Sequence, residues 1–562
     1  MKRRDIIKGL SLLPLSGTLG TALAESGGRV SATGEGSMGG AACAAGADSV
    51  AGAASVAGAA SDAGAADNIF RTLGVEPLIN CRGTFTIIGG SIERASVRAA
   101  MEAASKSFVQ YDELADGIGK RLAELTGAPW GMVSAGCAAG LKHVTAACVT
   151  GGNPEKLIRI PDLTGFEKTE VIIPAGSRNV YDHALRNIGV KVITVADMAE
   201  LEHAISARTA MIYAMSEDPG SPLEEIARVA KGRNVPILVD AAAEDLTVPN
   251  VHLRKGATVV AYSGGKALCG PQCAGLLIGD KDILMSAWQA SSPHHGPGRD
   301  NKVGREEMIG MLAAVEAWVA LDHAVKWKTW LGWLDTIAKK MKSIDGISTE
   351  VHEPTGLSNR SPVLVISWDP AKWNLTGEEL AEELGRTTPR IALGGRSRKE
   401  AGAPTSIDIT TGQMQPGEEL IVAERVHAIL SKKRPAREAG NKAPGGDIAG
   451  HWEVSVAFFS SASKHSFHLE QDGIWIAGSH HSDFSVQDVT GSIEGGQIKL
   501  RSTVRRPGDR ITYLFSGVFT GDEIKGSVYL GEYRTATFTA TRTKAKIIRE
   551  PISIPGGPPL AT

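Results

Sequence analysis

Cysteine is scarce in this chain, with six in 562 residues. That is too few for the disulfide framework that small secreted folds use in place of a core. Net charge is also nearly absent: 60 Lys and Arg meet 62 Asp and Glu, a formal balance of −2. Nothing in that balance marks nucleic acid or an anionic membrane surface as a partner. Beyond the N-terminus, no apolar run reads as a transmembrane segment. Aromatic anchors are missing from Glu25 to about Asp67, which is mostly Gly, Ala, Ser and Val. Such a stretch cannot bury enough surface to offset its ordering entropy, so 25–67 reads as a flexible linker. Its Ala-Gly-Ala-Ala-Ser repeats are low complexity, and Cys43 follows Gly40-Ala41-Ala42, a poor lipoprotein box.

The N-terminus does carry a signal. Met1-Lys2-Arg3-Arg4-Asp5 precedes an apolar stretch from Leu10 to Leu23 that ends in Ala22-Leu23-Ala24. The stretch is too short to span a bilayer permanently, and its ending suits cleavage. Residues 1–24 therefore read as a twin-arginine signal peptide, with an uncleaved anchor as the alternative. That route exports folded proteins, so the expected location is periplasmic or secreted.

Two strand endings carry the chemistry. Val235-Pro236-Ile237-Leu238-Val239 reads as a buried strand ending on Asp240, and Thr258-Val259-Val260-Ala261-Tyr262 runs into Ser263-Gly264-Gly265-Lys266. Both polar residues then fall at the C-terminal ends of neighbouring parallel strands, where open α/β sheets bind ligands. A lysine amine forms an imine with an aldehyde, and burial favours its neutral, nucleophilic form. A carboxylate keeps a pyridine nitrogen protonated. Pyridoxal 5'-phosphate requires both. The glycines before Lys266 are read as letting the backbone approach a flat cofactor. Singly, Lys266 reads better as a surface lysine in a Gly-rich loop and Asp240 as a helix cap; jointly, the βαβ setting favours the cofactor. A third element is the run Ser134-Ala135-Gly136-Cys137-Ala138, which opens an Ala-rich helix after the strand 128–133. Small residues at a helix start expose N–H groups to an anion such as a cofactor phosphate.

These motifs resemble the selenocysteine synthase-like (L-seryl-tRNA selenium transferase-like) group of fold-type I pyridoxal phosphate enzymes, which also holds D-glucosaminate-6-phosphate ammonia lyase-type proteins. The matching pieces are Gly83-Thr84, Gly89-Gly90-Ser91, Tyr181-Asp182-His183-Ala184, Asp240-Ala241-Ala242-Ala243, Ser263-Gly264-Gly265-Lys266, Gly270-Pro271-Gln272 and Lys302-Val303-Gly304-Arg305. The resemblance runs from Leu78 to about Val319 and continues more weakly beyond. It implies that Lys266 forms the internal aldimine, that Asp240 pairs with the pyridinium, and that Ser134, Ala135, Gly136, Cys137, Ala138 and Ser263 hold the phosphate. It also implies that Arg299 and Lys302, in the loop 293–302, face an active site across a dimer interface and bind an anionic substrate group; a solvated basic loop is the alternative. Arg178 is a further substrate-binding candidate. Two positions depart from the pattern: Ser177 stands where the group often has histidine, and Glu244 where glutamine is expected.

The expected fold class is α/β: a fold-type I PLP-transferase with a mostly parallel sheet in its large domain and a small α+β domain, plus an appended all-β C-terminal module. The expected divisions are 68–330 for the cofactor-binding large domain with its N-terminal segment, 331–432 for the small domain, 433–449 for a polar hinge, 450–545 for the module and 546–562 for a tail. Trp327, Trp330 and Trp333 form a packing face in this reading, and Arg390 and Arg396 are candidates for a substrate carboxylate. Cys269 and Cys273 read as buried small residues, with a disulfide as the alternative. The module shows seven short alternating runs, Trp452–Phe458, Ser466–Glu470, Ile474–Gly478, Ile498–Val504, Ile511–Phe519, Ile524–Leu530 and Thr535–Thr541, which suggest a β-sandwich or small barrel. His480-His481 reads as a solvated turn, and no metal is expected. The resulting reading is an exported pyridoxal phosphate enzyme, a lyase or β-replacing transferase acting on an amino acid or amino sugar acid, and a homodimer or higher homo-oligomer. The alternative is a non-catalytic binding protein that keeps this fold and uses its β-module on an envelope or glycan partner.

Overall fold

The computed structural model describes residues 68–216, 222–396, 403–435, 442–503, 511, 513–545 and 550–552. The segments expected to be a signal peptide and a linker lie outside the described residues, as do most of the expected tail and residues 436–441 of the expected hinge.

The apolar runs build one sheet of seven strands: β1 (Trp130–Ser134), β2 (Glu170–Pro174), β3 (Lys191–Val195), β4 (Thr209–Met215), β5 (Ile237–Asp240), β6 (Val259–Ser263) and β7 (Gly275–Gly279). Their spatial order is β1-β7-β6-β5-β4-β2-β3. Strands β2 to β6 are mutually parallel, and β7 runs antiparallel to both β1 and β6. Every residue of β1, β2, β5 and β7 is buried. Cover on both faces is why these strands read as continuous apolar runs rather than as alternation. Helix α1 (Cys137–Thr150) follows β1 and is buried on almost all sides. Its small residues let it sit against the sheet: a Cβ on Gly140 would lie 2.9 Å from Ser134 Oγ and 3.0 Å from a Leu277 methyl.

Helices α2 (Arg305–Val319) and α3 (His323–Met341) lead to a second layer. Its antiparallel sheet comprises β8 (Ser348–His352), β9 (Val363–Trp368), β10 (Gly394–Arg396) and β11 (Thr405–Thr410), in the order β10-β11-β9-β8. Alternating burial along β9 and β11 shows one packed face, set against α3 and the helix Glu418–Leu430. The lead-in segment joins this layer: Leu78–Asn80 pairs in parallel with Arg390–Ala392, and Ile79 and Cys81 sit in its core. Trp330 is buried and Trp333 packs on the same core, while the Trp327 indole donates to Glu353 at 2.7 Å.

The C-terminal module is a closed barrel of eight antiparallel strands: β12 (Gly450–Ala457), β13 (Ala462–Asp472), β14 (Trp475–His481), β15 (Val486–Glu494), β16 (Gln497–Thr503), β17 (Tyr513–Thr520), β18 (Glu523–Tyr529) and β19 (Thr535–Thr543). Each strand pairs with the next, and β19 closes on β12. The alternating runs miss β15. Its buried positions include Gln487 beside Val489 and Ile493, so no apolar alternation marks it. His480 and His481 lie in β14 rather than in a solvated turn, with His480 wholly buried. The barrel has its own apolar core, separate from those of the two α/β layers. Among the described residues no single helix is long and apolar enough to cross a membrane.

One buried group of α1 sets a pH dependence. His143 is 1% exposed and neither ring nitrogen has a hydrogen-bond partner. Burial, then the Lys142 ammonium, pushes its pKa down to about 3. The folded value lies below the ordinary one of about 6.5, so the stability linked to neutral His143 is complete above that value and is lost as pH falls. From pH 7 to pH 5 the loss should be about 2 kcal/mol. His143→Leu should therefore melt with a smaller pH dependence over that interval in differential scanning fluorimetry. Equal falls in wild type and variant would show that another group carries the effect.

Candidate active site

The C-terminal edge of the sheet gathers the sequence candidates. Ser134 ends β1, Asp240 ends β5 and Ser263 ends β6. Ser134 and Ser263 both register with Gly275 of the intervening β7, so the two serines flank one glycine. A Cβ on Gly275 would meet the Gly136 carbonyl carbon at 2.5 Å and the Cys137 nitrogen at 2.6 Å, so this position admits only glycine. That lets α1 bring its first turn down to the strand ends. Gly136 precedes the helix at φ 89°, and no side chain caps it. The first N–H groups of a 14-residue helix therefore point at the sheet edge, where they and the helix dipole suit a phosphate. Ser134 contributes position more than its hydroxyl, which donates to the Gly136 carbonyl at 2.9 Å.

Asp240 is 2% exposed. The Tyr213 hydroxyl donates to one of its oxygens at 2.9 Å and the Ala242 N–H to the other at 3.0 Å. Cys137 Sγ lies 3.9 Å from the same carboxylate. Burial raises the Asp240 pKa, and the Tyr213 and Ala242 hydrogen bonds and the Lys266 charge oppose that rise. Behind Asp240, Asn179 donates to Tyr213 at 2.9 Å and to the Ser177 carbonyl at 3.0 Å. Tyr181 belongs to the same group: its phenol pKa is raised by burial and then by the charges of Asp240, Cys137 and Glu532. The Ser177 hydroxyl accepts from the Met215 N–H at 3.0 Å and ties the loop to β4. Glu244 is buried and pairs with His252 Nε2 at 2.5 Å, a partner that gives the acid a reason to stand there.

The two glycines before Lys266 are required by the loop itself. A Cβ on Gly264 would meet Ala274 O at 2.7 Å, and one on Gly265 would meet Gln272 Cα at 2.6 Å. They let the Lys266 turn fold against Gly270-Pro271-Gln272. Cys269 and Cys273 are free, and Cys273 is exposed rather than buried.

A cavity of ≈ 260 Å³ adjoins the loops that carry Asp240 and Lys266. Arg82, Lys326 and Arg360 supply three cations to its wall, and Asp245 one acid. Backbone hydrogen bonds assemble it across the two layers: Asp245 N–H donates to Leu357 O at 3.0 Å, and Asn359 N–H to Ala243 O at 2.8 Å. Arg360 then lies 3.6 Å from Asp245 and stacks over Trp327 at 5.3 Å. Lys326 loses some of its basicity to burial.

The arginines singled out in the sequence go elsewhere. Arg178 bonds Asp182 at 2.7 Å and also Thr194 of β3. Arg390 donates to Gly385 O at 2.7 Å, and Arg396 pairs with Asp408 at 2.6 Å. Arg299 and Lys302 are exposed on a loop pinned by the Lys142–Asp300 pair at 2.7 Å, and their expected place is at the site of a second copy rather than of their own chain. Sequence reasoning missed Arg82, Lys326 and Arg360, although Arg82 directly precedes the Gly83-Thr84 motif.

The residues fit pyridoxal phosphate on the structure's own terms: an uncapped helix start at the strand ends, a buried carboxylate suited to a cationic ring nitrogen, and a lysine whose charge reaches that carboxylate. The fold and this pair define a fold-type I pyridoxal phosphate enzyme, a lyase or transferase. Comparison with known proteins agrees. The chain is 29% identical over 345 residues to 5'-C-glycyluridine monooxygenase-decarboxylase of a Streptomyces species, covering 58% of this chain and 83% of that protein. It is 28% identical over 300 residues to D-glucosaminate-6-phosphate ammonia lyase of Salmonella typhimurium, covering 51% of this chain and 78% of that protein. A solved structure of D-glucosaminate-6-phosphate ammonia-lyase shares the fold with a TM-score of 0.58 at 24% identity, covering 65% of this chain and 99% of that one. No family model matches the chain.

Purified protein should therefore absorb visible light, and borohydride should fix the cofactor covalently on Lys266. Lys266→Ala should abolish that fixation, and peptide mapping that finds the cofactor on another lysine would reject the assignment. Asp240→Asn should keep the fold and lower turnover about a hundredfold or more; unchanged turnover would reduce Asp240 to a structural acid.

Proposed function

We propose that this protein is an exported pyridoxal phosphate enzyme that breaks a bond at the amino carbon of an anionic amino acid or amino sugar acid, by elimination or β-replacement. The observation that carries the substrate class is the cavity beside the Lys266 loop, with three cations against one acid among its described lining residues. A site of that balance favours a substrate with negative charge beyond its amino group. The names of the two curated relatives describe substrates of related kind, an amino sugar acid and a glycyl nucleoside.

Each residue has a role that follows from its place. When bound, the cofactor supplies an electron sink for the pair left on the substrate's amino carbon. The Lys266 amine removes or returns the proton at that carbon, and its neighbour Ala267 lines the cavity. Asp240 holds the ring nitrogen in its protonated form, and Tyr213 and Asn179 fix the carboxylate so that it does not turn away. Arg360 orients the substrate anion, with its own guanidinium held by Asp245 and Trp327. Arg82 and Lys326 balance a second negative group. Trp330 and Phe85 give the cavity an apolar wall and exclude water.

Two features of the wider molecule enter the same proposal. Ile69, Phe70, Leu73, Val75, Ile87 and Phe108 are large apolar residues exposed on the lead-in segment. A second copy of the chain would cover them, which supports a homodimer. The Arg3-Arg4 signal supports export to the periplasm or beyond.

Arg360→Ala should raise KM for the productive substrate about ten- to a hundredfold with a smaller change in kcat, the loss expected for a charge-assisted contact made before and during reaction. Arg360→Lys should recover part of it. The substrate is found by screening acidic amino acids and amino sugar acids for a change in the visible spectrum, with their amides as controls. Amides that react as well as the acids would overturn the anionic-substrate reading. Replacing Arg3 and Arg4 with lysines should leave the protein folded in the cytoplasm; normal export of that variant would remove the twin-arginine route.

A further inference from the structure

A buried polar cluster stands behind the cavity of the α/β layers. Residues 243–245 run beside 357–359 as a short antiparallel piece, with Glu244 bridged to Ser358. Successive side chains of such a piece point to opposite faces. Ala243 and Asp245 accordingly line the cavity, while Glu244 turns its carboxylate the other way, to His252 Nε2 at 2.5 Å.

His252 is held in its turn. It stands in the short helix Val251–Arg254, whose cap Asn250 accepts from the His252 and Leu253 N–H groups at 3.0 Å each. Asn250 Nδ2 donates to the Tyr262 hydroxyl at 2.6 Å. Tyr262 belongs to β6, the strand that runs into the Lys266 loop. Glu244, His252, Asn250 and Tyr262 are all buried. A connected set of hydrogen bonds therefore joins the wall of the cavity to the strand that carries Lys266.

Burying a carboxylate against an imidazole costs more than packing two apolar side chains there. What the polar pair supplies instead is direction, since a hydrogen bond fixes the position of its partners. The group that gains from a fixed position is Arg360. Asn359 N–H donates to Ala243 O at 2.8 Å, and the Arg360 guanidinium lies 3.6 Å from Asp245. Both of these holds are made by the residues on either side of Glu244, so a shift of Glu244 would carry both.

We propose, on the reading of this cavity as an anion site, that Glu244 and His252 are positioning residues for substrate recognition. The pair fixes 243–245 against β6 and, through Ala243 and Asp245, sets the place of Arg360 relative to Lys266.

Trp327, over which Arg360 stacks at 5.3 Å, reports on that place. The test uses full-length protein with its cofactor and with 5-fluorotryptophan incorporated, titrated with inorganic phosphate. Fluorine NMR follows the Trp327 signal, assigned with Trp327→Phe. Phosphate should move this signal in wild type, and Arg360→Ala should weaken the response at least about tenfold. Replacing the pair together, Glu244→Leu with His252→Leu, puts apolar volume in place of a buried polar pair, a change that is often neutral for stability. That double variant should keep the visible spectrum and bind phosphate about fivefold to thirtyfold more weakly. Glu244→Gln keeps a hydrogen bond to the imidazole and should stay within about threefold of wild type. Added to Arg360→Ala, the two leucines should weaken binding no further, because both changes act through one contact. Wild-type affinity in the double leucine variant, or a weakening that multiplies with that of Arg360→Ala, would overturn this proposal alone. A Trp327 signal that phosphate leaves in place in wild type, or moves equally in Arg360→Ala, would remove the anion reading of the cavity and this proposal with it. Should the double leucine variant not fold, His252→Phe, which keeps a ring and removes the bond, takes its place with the same expectation.

Discussion

A carboxylate buried at the end of a parallel strand governs the catalytic half of this molecule. Leaving Asp240 ionised without a compensating charge would cost several kcal/mol. The structure meets that cost in stages. Tyr213, one strand away, donates to one oxygen, and the backbone after β5 turns to donate from Ala242 to the other. The Lys266 charge contributes from the next strand's loop. A protonated ring nitrogen is the remaining partner that would make the site electrically whole. Because Asn179 must hold Tyr213, the loop from 175 to 182 is fixed by the same requirement, and with it Tyr181.

Asp240 and Lys266 were legible in the sequence because both follow directly from local pattern: an apolar run, then the residue at its end. Strand direction then brings them to one edge. Arg360 was not legible. It stands in a polar loop before β9, and only the hydrogen bonds between 357–359 and 243–245 bring it to the cavity. Arg178, Arg390 and Arg396 look no different in sequence, yet Asp182, Gly385 and Asp408 engage them within the fold. An arginine's composition does not state its partner; a tertiary contact does. The glycines at 264 and 265 teach the same point from the other side. Their presence was visible, but their purpose, close packing against residues 270–274, depends on a turn that sequence spacing does not describe.

In the barrel, alternation was readable wherever the interior is apolar and failed where it is not. β15 went unseen because Gln487 occupies an inward position, and His480 looked like part of a turn because an imidazole pair is not a strand signal. The residues that hid the strand are joined inside the barrel, where Ser502 bonds both Gln487 at 2.7 Å and His480 at 2.8 Å. Departures from local pattern concentrate where a fold carries something other than packing.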